Sequence, residues 1–73
     1  MFFSNLLGES IPFAVLHILE GRDEAKKAAL IAAVTDAITT TLGAPRETIR
    51  VLIQEVPKTQ WGVGGKTIKD LGK

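Results

Sequence analysis

Among the residues able to do chemistry, two arginines come first. Arg22 closes the apolar run "SIPFAVLHILEGR", and Arg50 opens the run "RVLIQEV". Each therefore lies at a strand edge or beside a turn, in apolar surroundings. Two guanidinium groups so placed make a forked receptor for carboxylates, because their planar N–H donors match both carboxylate oxygens. The competing reading is surface ion pairing with Glu20, Glu47 or Glu55, which residue types alone favour. His17, in the middle of the first run, is expected to be a packed or interface residue rather than a base. Lys26 and Lys27 are expected on a solvated helix face. "GVGGKT", residues 62 to 67, has glycines like those of a phosphate-binding loop. That motif needs a glycine where Gln60 stands and a full helix afterwards, and only six residues follow Thr67. A tight turn is the better account.

These groups must be positioned by a small set of elements. "PFAVLHILE", residues 12 to 20, is aliphatic with little polar alternation, the pattern of a strand covered on both faces. Pro12 fits only its first position, since proline cannot donate to a ladder. Gly21 and Arg22 turn the chain, Asp23 is suited to cap a helix, and Glu24 favours the positive end of its dipole. Residues 24 to 42 are rich in alanine, with Leu30, Val34, Ala37, Ile38 and Leu42 at helical spacing and Thr41 narrowing the stripe. Gly43 suits the position after the helix, and Pro45 prevents continuation. "TIRVLIQEV", residues 48 to 56, sets Ile49, Val51 and Ile53 against Arg50, Leu52 and Gln54, and Pro57 stops it. The fold class is therefore α/β: one β-α-β unit with parallel strands and a short C-terminal hairpin or lid. It forms a single domain over residues 12–73, preceded by an extension of residues 1–11.

A domain of 73 residues is marginal alone, and with no cysteine it has no disulfide to help. The hydrophobic content of 45% and a mean hydropathy of +0.19 point to association with further copies. One histidine and scattered acids are a poor metal set. The net charge is +1 and Lys and Arg are spread from Arg22 to Lys73, so no basic stripe suggests nucleic acid. No apolar run approaches the ~20 residues of a membrane span, and "MFFSNLLGESI" lacks the basic start of a signal peptide. A cytoplasmic protein is the expectation.

From Pro12 to about Gly65 the chain resembles the 4-oxalocrotonate tautomerase family without a gap. The resemblance rests on "P-x-A-x-x-HILEGR", on Leu30-Ile31, on Ala44-Pro45, on "RVxIxE" from Arg50 to Glu55, and on "GxGG" after an aromatic. It implies a β-α-β fold, commonly hexameric, that uses no metal or cofactor. It implies proton transfer between carbon and oxygen of unsaturated 2-oxo or 2-hydroxy acids such as 2-hydroxymuconate. Pro12 resembles the family's amino-terminal catalytic base. Arg22 and Arg50 match the arginines that bind substrate carboxylates, Trp61 the aromatic beside the proline, and Leu19 and Thr48 further pocket positions.

Two departures follow. Trp61 stands where short members commonly have Phe, which bears on pocket size and substrate choice. Pro12 is internal, and an amide nitrogen, its lone pair delocalised into the carbonyl, cannot act as a base. The activity therefore requires Pro12 to be exposed as an amine. The alternatives are a non-catalytic oligomer whose arm, carrying Phe2, Phe3, Leu6 and Leu7, blocks the pocket or clasps a neighbour, and a family dehalogenase or decarboxylase.

Overall fold

The computed structural model describes residues 11–73. The expectation for the arm bearing Phe2, Phe3, Leu6 and Leu7 lies outside the described residues. Strand β1 (Phe13–Leu19) leads into helix α1 (Glu24–Leu42), a short 3-10 turn (Arg46–Thr48) and strand β2 (Arg50–Val56). A second 3-10 turn (Lys58–Gln60) precedes the two-residue strands β3 (Gly62–Val63) and β4 (Lys66–Thr67). β1 and β2 pair in parallel, with Phe13 opposite Arg50, Leu16 opposite Ile53 and Leu19 opposite Val56. β3 and β4 form the expected antiparallel hairpin, turned by Gly64 and Gly65 at φ 62° and 90°. "GVGGKT" is thus a hairpin and no phosphate loop.

Helix α1 starts and stops where its residues require. The Asp23 carboxylate accepts from the Lys26 amide at 2.8 Å, satisfying one of the otherwise orphaned N–H groups of the first turn. Gly43 takes φ 73°, and its amide donates to the Thr39 carbonyl at 2.9 Å. A side chain at that φ would crowd the backbone, so glycine belongs there. The half-buried positions Lys27, Leu30, Val34 and Ile38 step by three and four along the helix, with Thr35 and Thr39 beside them. This face includes most of the expected stripe but excludes two of its members. Ala37 is exposed, one position off the seam. Leu42 is exposed because a 19-residue helix runs about 28 Å, whereas seven-residue strands span only about 20 Å. The last helical turn overhangs the sheet.

One helix covers one sheet face. Ala14, Leu16, Ile18, Val51 and Ile53 are half-buried on that side, and Ile49 is 8% exposed. Phe13, Val15, His17, Leu52 and Gln54 alternate onto the other side, which the described residues leave open; Phe13 is 65% exposed. The expected second cover for the first strand, as from an interface, is not supplied by the described residues of the single chain, whose long helix α1 lies on one side. The boundaries also tighten. Pro12 precedes β1 rather than joining it, and Thr48 belongs to the 3-10 turn, with β2 beginning at Arg50. Among the described residues, no helix is long and apolar enough to cross a membrane.

Candidate active site

The six candidate residues fall into two groups set by strand register. Parallel pairing places Pro12 beside the start of β2, where the Arg50 amide donates to the Pro12 carbonyl at 3.0 Å. Thr48 lies two residues before Arg50, in a turn closed by its own amide and its hydroxyl, both donating to the Pro45 carbonyl at 3.0 and 2.8 Å. Pro12, Thr48 and Arg50 thus share one end of the sheet. Leu19 ends β1 opposite Val56, and Arg22 follows three residues later. Trp61 comes beyond Val56, past the second 3-10 turn, and its carbonyl accepts from the Ile68 amide at 2.8 Å, anchoring the hairpin. Leu19 and Arg22 therefore belong to the other end, from which the chain runs on after Val56 to Trp61. The length of the strands, about 20 Å, separates Arg50 from Leu19.

The two arginines share a geometry that sequence spacing does not show. Arg22 Nη1 donates to the Leu19 carbonyl at 3.2 Å, and Arg50 Nη1 donates to the Glu47 carbonyl at 3.0 Å. Each guanidinium is steadied by the carbonyl three residues back and keeps its remaining donors. Among the described residues neither has a carboxylate partner, so the expected pairing with Glu20, Glu47 or Glu55 is absent. Both side chains belong to exposed residues. A guanidinium steadied through one of its five N–H donors can still grip a carboxylate with two others.

The ion pairs form elsewhere. Lys27 bridges Glu55 at 3.2 Å and Glu24 at 3.6 Å, with only 19% of its side chain exposed, which corrects the solvated-face expectation for this residue; Lys26 is exposed as expected. Its bond to Glu55, with both carboxylates adding attraction, raises the Lys27 ammonium pKa above its ordinary value. Lys27 and Glu55 border a groove of about 330 Å³ between α1 and β2, floored by Ala28, Ile31 and Ile53. That groove holds none of the candidate site residues. Arg46 pairs with Asp36 of α1. The Lys27–Glu55 and Arg46–Asp36 pairs join residues far apart in sequence, and the local signals for Lys27 were Glu24 three residues before it and its place on the helical repeat of the buried face. His17 is exposed on the open sheet face opposite Gln54.

The chain is thus a parallel β-α-β unit with a terminal hairpin, two steadied arginines and a proline just ahead of its first strand, and comparison with known proteins gives its class. The Tautomerase enzyme family model matches residues 12–71, and the chain belongs to this family. It is accordingly an isomerase, interconverting keto and enol forms. A 2-hydroxymuconate tautomerase of Pseudomonas putida is 48% identical over 63 residues, covering 86% of this chain and all of that protein. A 4-oxalocrotonate tautomerase isozyme structure from Methylibium petroleiphilum superposes with a TM-score of 0.82 at 48% identity, over 85% of this chain and all of that one. A heterohexameric 4-oxalocrotonate tautomerase from Chloroflexus aurantiacus superposes at 0.78 with 37% identity, over 82% of this chain and 97% of its own.

Proposed function

We propose that this tautomerase acts on small unsaturated 2-oxo and 2-hydroxy acids such as 2-hydroxymuconate, with the secondary amine of Pro12, once exposed, as the general base. An unperturbed terminal amine titrates near ~7.7–8.0. An apolar pocket and neighbouring guanidinium groups both disfavour its cation, drawing that value toward neutrality, where one group can accept and return a proton. The amine takes the proton of the 2-hydroxyl, negative charge spreads over the dienolate, and the resulting ammonium returns the proton to carbon. Arg50, at the same end as Pro12, binds a substrate carboxylate and also stabilises charge on the dienolate oxygen. Arg22 grips a carboxylate, and Trp61, Leu19 and Thr48 shape the pocket.

The observation that carries this reading is the matched pair of arginines, each steadied by a backbone carbonyl and without a carboxylate partner among the described residues. Their separation within one chain adds a requirement. A substrate of a few carbons cannot bridge about 20 Å, so the Leu19–Arg22 end must come from another copy. The open face bearing Phe13, Val15 and Leu52 supplies the apolar surface for such assembly, and a cytoplasmic homohexamer is the form proposed.

The test compares the 73-residue chain with a chain beginning at Pro12, each amino terminus verified by mass spectrometry and each assembly by sedimentation. On 2-hydroxymuconate the shorter chain should be faster by about a hundredfold or more, the usual contribution of a positioned acid–base group. Equal rates in a verified full-length sample would remove Pro12 from the mechanism. A stable monomer at micromolar concentration would remove the shared site. Chlorinated unsaturated acids and 2-oxo diacids in the same panel distinguish dehalogenation and decarboxylation from tautomerisation.

A further inference from the structure

The guanidinium of Arg50 is held by a carbonyl that belongs to a turn, and that turn is tied to the helix by one ion pair. Arg50 Nη1 donates to Glu47 O at 3.0 Å, and Glu47 is the middle residue of the Arg46–Thr48 turn. The turn closes on itself through Thr48 N to Pro45 O at 3.0 Å and Ile49 N to Arg46 O at 3.1 Å. Its first residue, Arg46, reaches back ten positions to the Asp36 carboxylate on α1. Asp36 is exposed and off the apolar seam of the helix, so packing gives it no role. The pair nevertheless ties to α1 the turn whose middle carbonyl, that of Glu47, accepts from Arg50. It also occupies Arg46, a second cation only four residues from Arg50, with a carboxylate of the protein's own.

We propose that Asp36 and Arg46 are positioning residues for Arg50: their ion pair orients the Arg46–Thr48 turn so that the Arg50 guanidinium is set to receive a substrate carboxylate. The proposal rests on the carboxylate-binding role given to Arg50 above. Both partners are solvent-accessible, and pairs of that kind have modest effects, so the change expected on breaking it is about two- to fivefold.

The first measurement uses the full 73-residue chain and needs no turnover. Amide hydrogen exchange at Thr48 and Ile49, followed by NMR, should quicken about two- to fivefold in Asp36→Asn and in Arg46→Gln, and the Arg50 Nε–H resonance should shift. The exchanged pair, Asp36→Arg with Arg46→Asp, should restore both signals. The second measurement uses the chain beginning at Pro12. The same single substitutions should raise KM for 2-hydroxymuconate by that factor with kcat within about twofold, and the exchanged pair should restore it. Unchanged exchange and an unmoved Arg50 resonance in both single variants would overturn the proposal. An exchanged pair that behaves like either single variant would do the same, as would altered exchange without any change in KM. Arg50→Ala serves as the control: if it leaves the kinetics unchanged, the carboxylate-receptor reading itself falls. If Arg50→Ala has its effect and the pair does not, only the positioning role is lost.

Discussion

The two ends of the parallel sheet use similar parts to hold an arginine, but they anchor those parts differently. At the Pro12 end, Arg50 is already in β2, its amide fixed to Pro12 and its side chain fixed to the adjoining turn. At the Leu19 end, Arg22 lies in the connection between strand and helix, where its guanidinium donates to Leu19 and the next residue caps α1. The first arrangement puts a cation in register with Pro12. The second puts a cation where the chain reverses. On the function proposed above, each end is one half of a site and assembly is part of the chemistry.

The most demanding test of that division mixes defective subunits. In chains beginning at Pro12, Arg50→Ala should slow turnover about a hundred- to thousandfold, the loss usual for a donor to developing oxyanion charge. Arg22→Ala should act mainly by raising KM. Unfolding the two variants together and refolding them as mixed oligomers should recover about a quarter of the wild-type sites, because each half of a site is then drawn independently from either variant. Recovery of none would place both arginines of a site on one subunit and break the comparison.

A smaller effect is expected from the helix ends that flank the two halves. Asp23→Ala removes the cap next to Arg22 and should cost about 1 kcal/mol of unfolding free energy in a denaturant titration. Gly43→Ala, at φ 73°, should cost about 1 kcal/mol at the opposite end of α1. If the Leu19 end is the more dependent on its connection, only Asp23→Ala should also raise KM. Equal kinetic effects of the two substitutions would erase that distinction.

The mildest prediction concerns pH. Lys27 has its pKa raised in the folded chain by Glu55 and Glu24, so the folded state holds this proton more tightly than the unfolded state. Its contribution is complete below the unfolded value, near 10.5, and fades as pH rises through the elevated folded value. Thermal midpoints of the parent should therefore fall more steeply above about pH 10 than those of Lys27→Met. Parallel alkaline profiles for the two proteins would show that this clamp contributes nothing to the Leu19 end.

Much of this architecture was legible in local sequence. Asp23, Gly43 and Pro45 bound the helix because capping and backbone geometry act over only a few residues. The alternation of Ile49, Val51 and Ile53 with Arg50, Leu52 and Gln54 gave the faces of β2, and those faces are observed. The same reasoning reads β1 as covered on both faces, in a sheet or at an interface, and the described residues of the single chain cover one side. Lys27 was misplaced because its partner Glu55 is 28 positions away, and no local pattern reports such a pair. Arg22 and Arg50 stood out by residue type and place, whereas Pro12, Leu19, Thr48 and Trp61 were legible as candidate site residues only through family resemblance. Their grouping into two ends needed the parallel register, which nothing within either strand specifies.

The bond between the Arg50 amide and the Pro12 carbonyl has a further consequence. A freshly cut amino terminus ordinarily frays, and a reactive amine placed there would wander. Here the carbonyl of residue 12 is already pinned to the neighbouring strand before any cut is made. Proteolysis ahead of Pro12 would thus change a bond order and a charge without asking the backbone to refold. Under the role proposed for Pro12, a single hydrolysis ahead of it frees an amine on a residue whose carbonyl is already held in place.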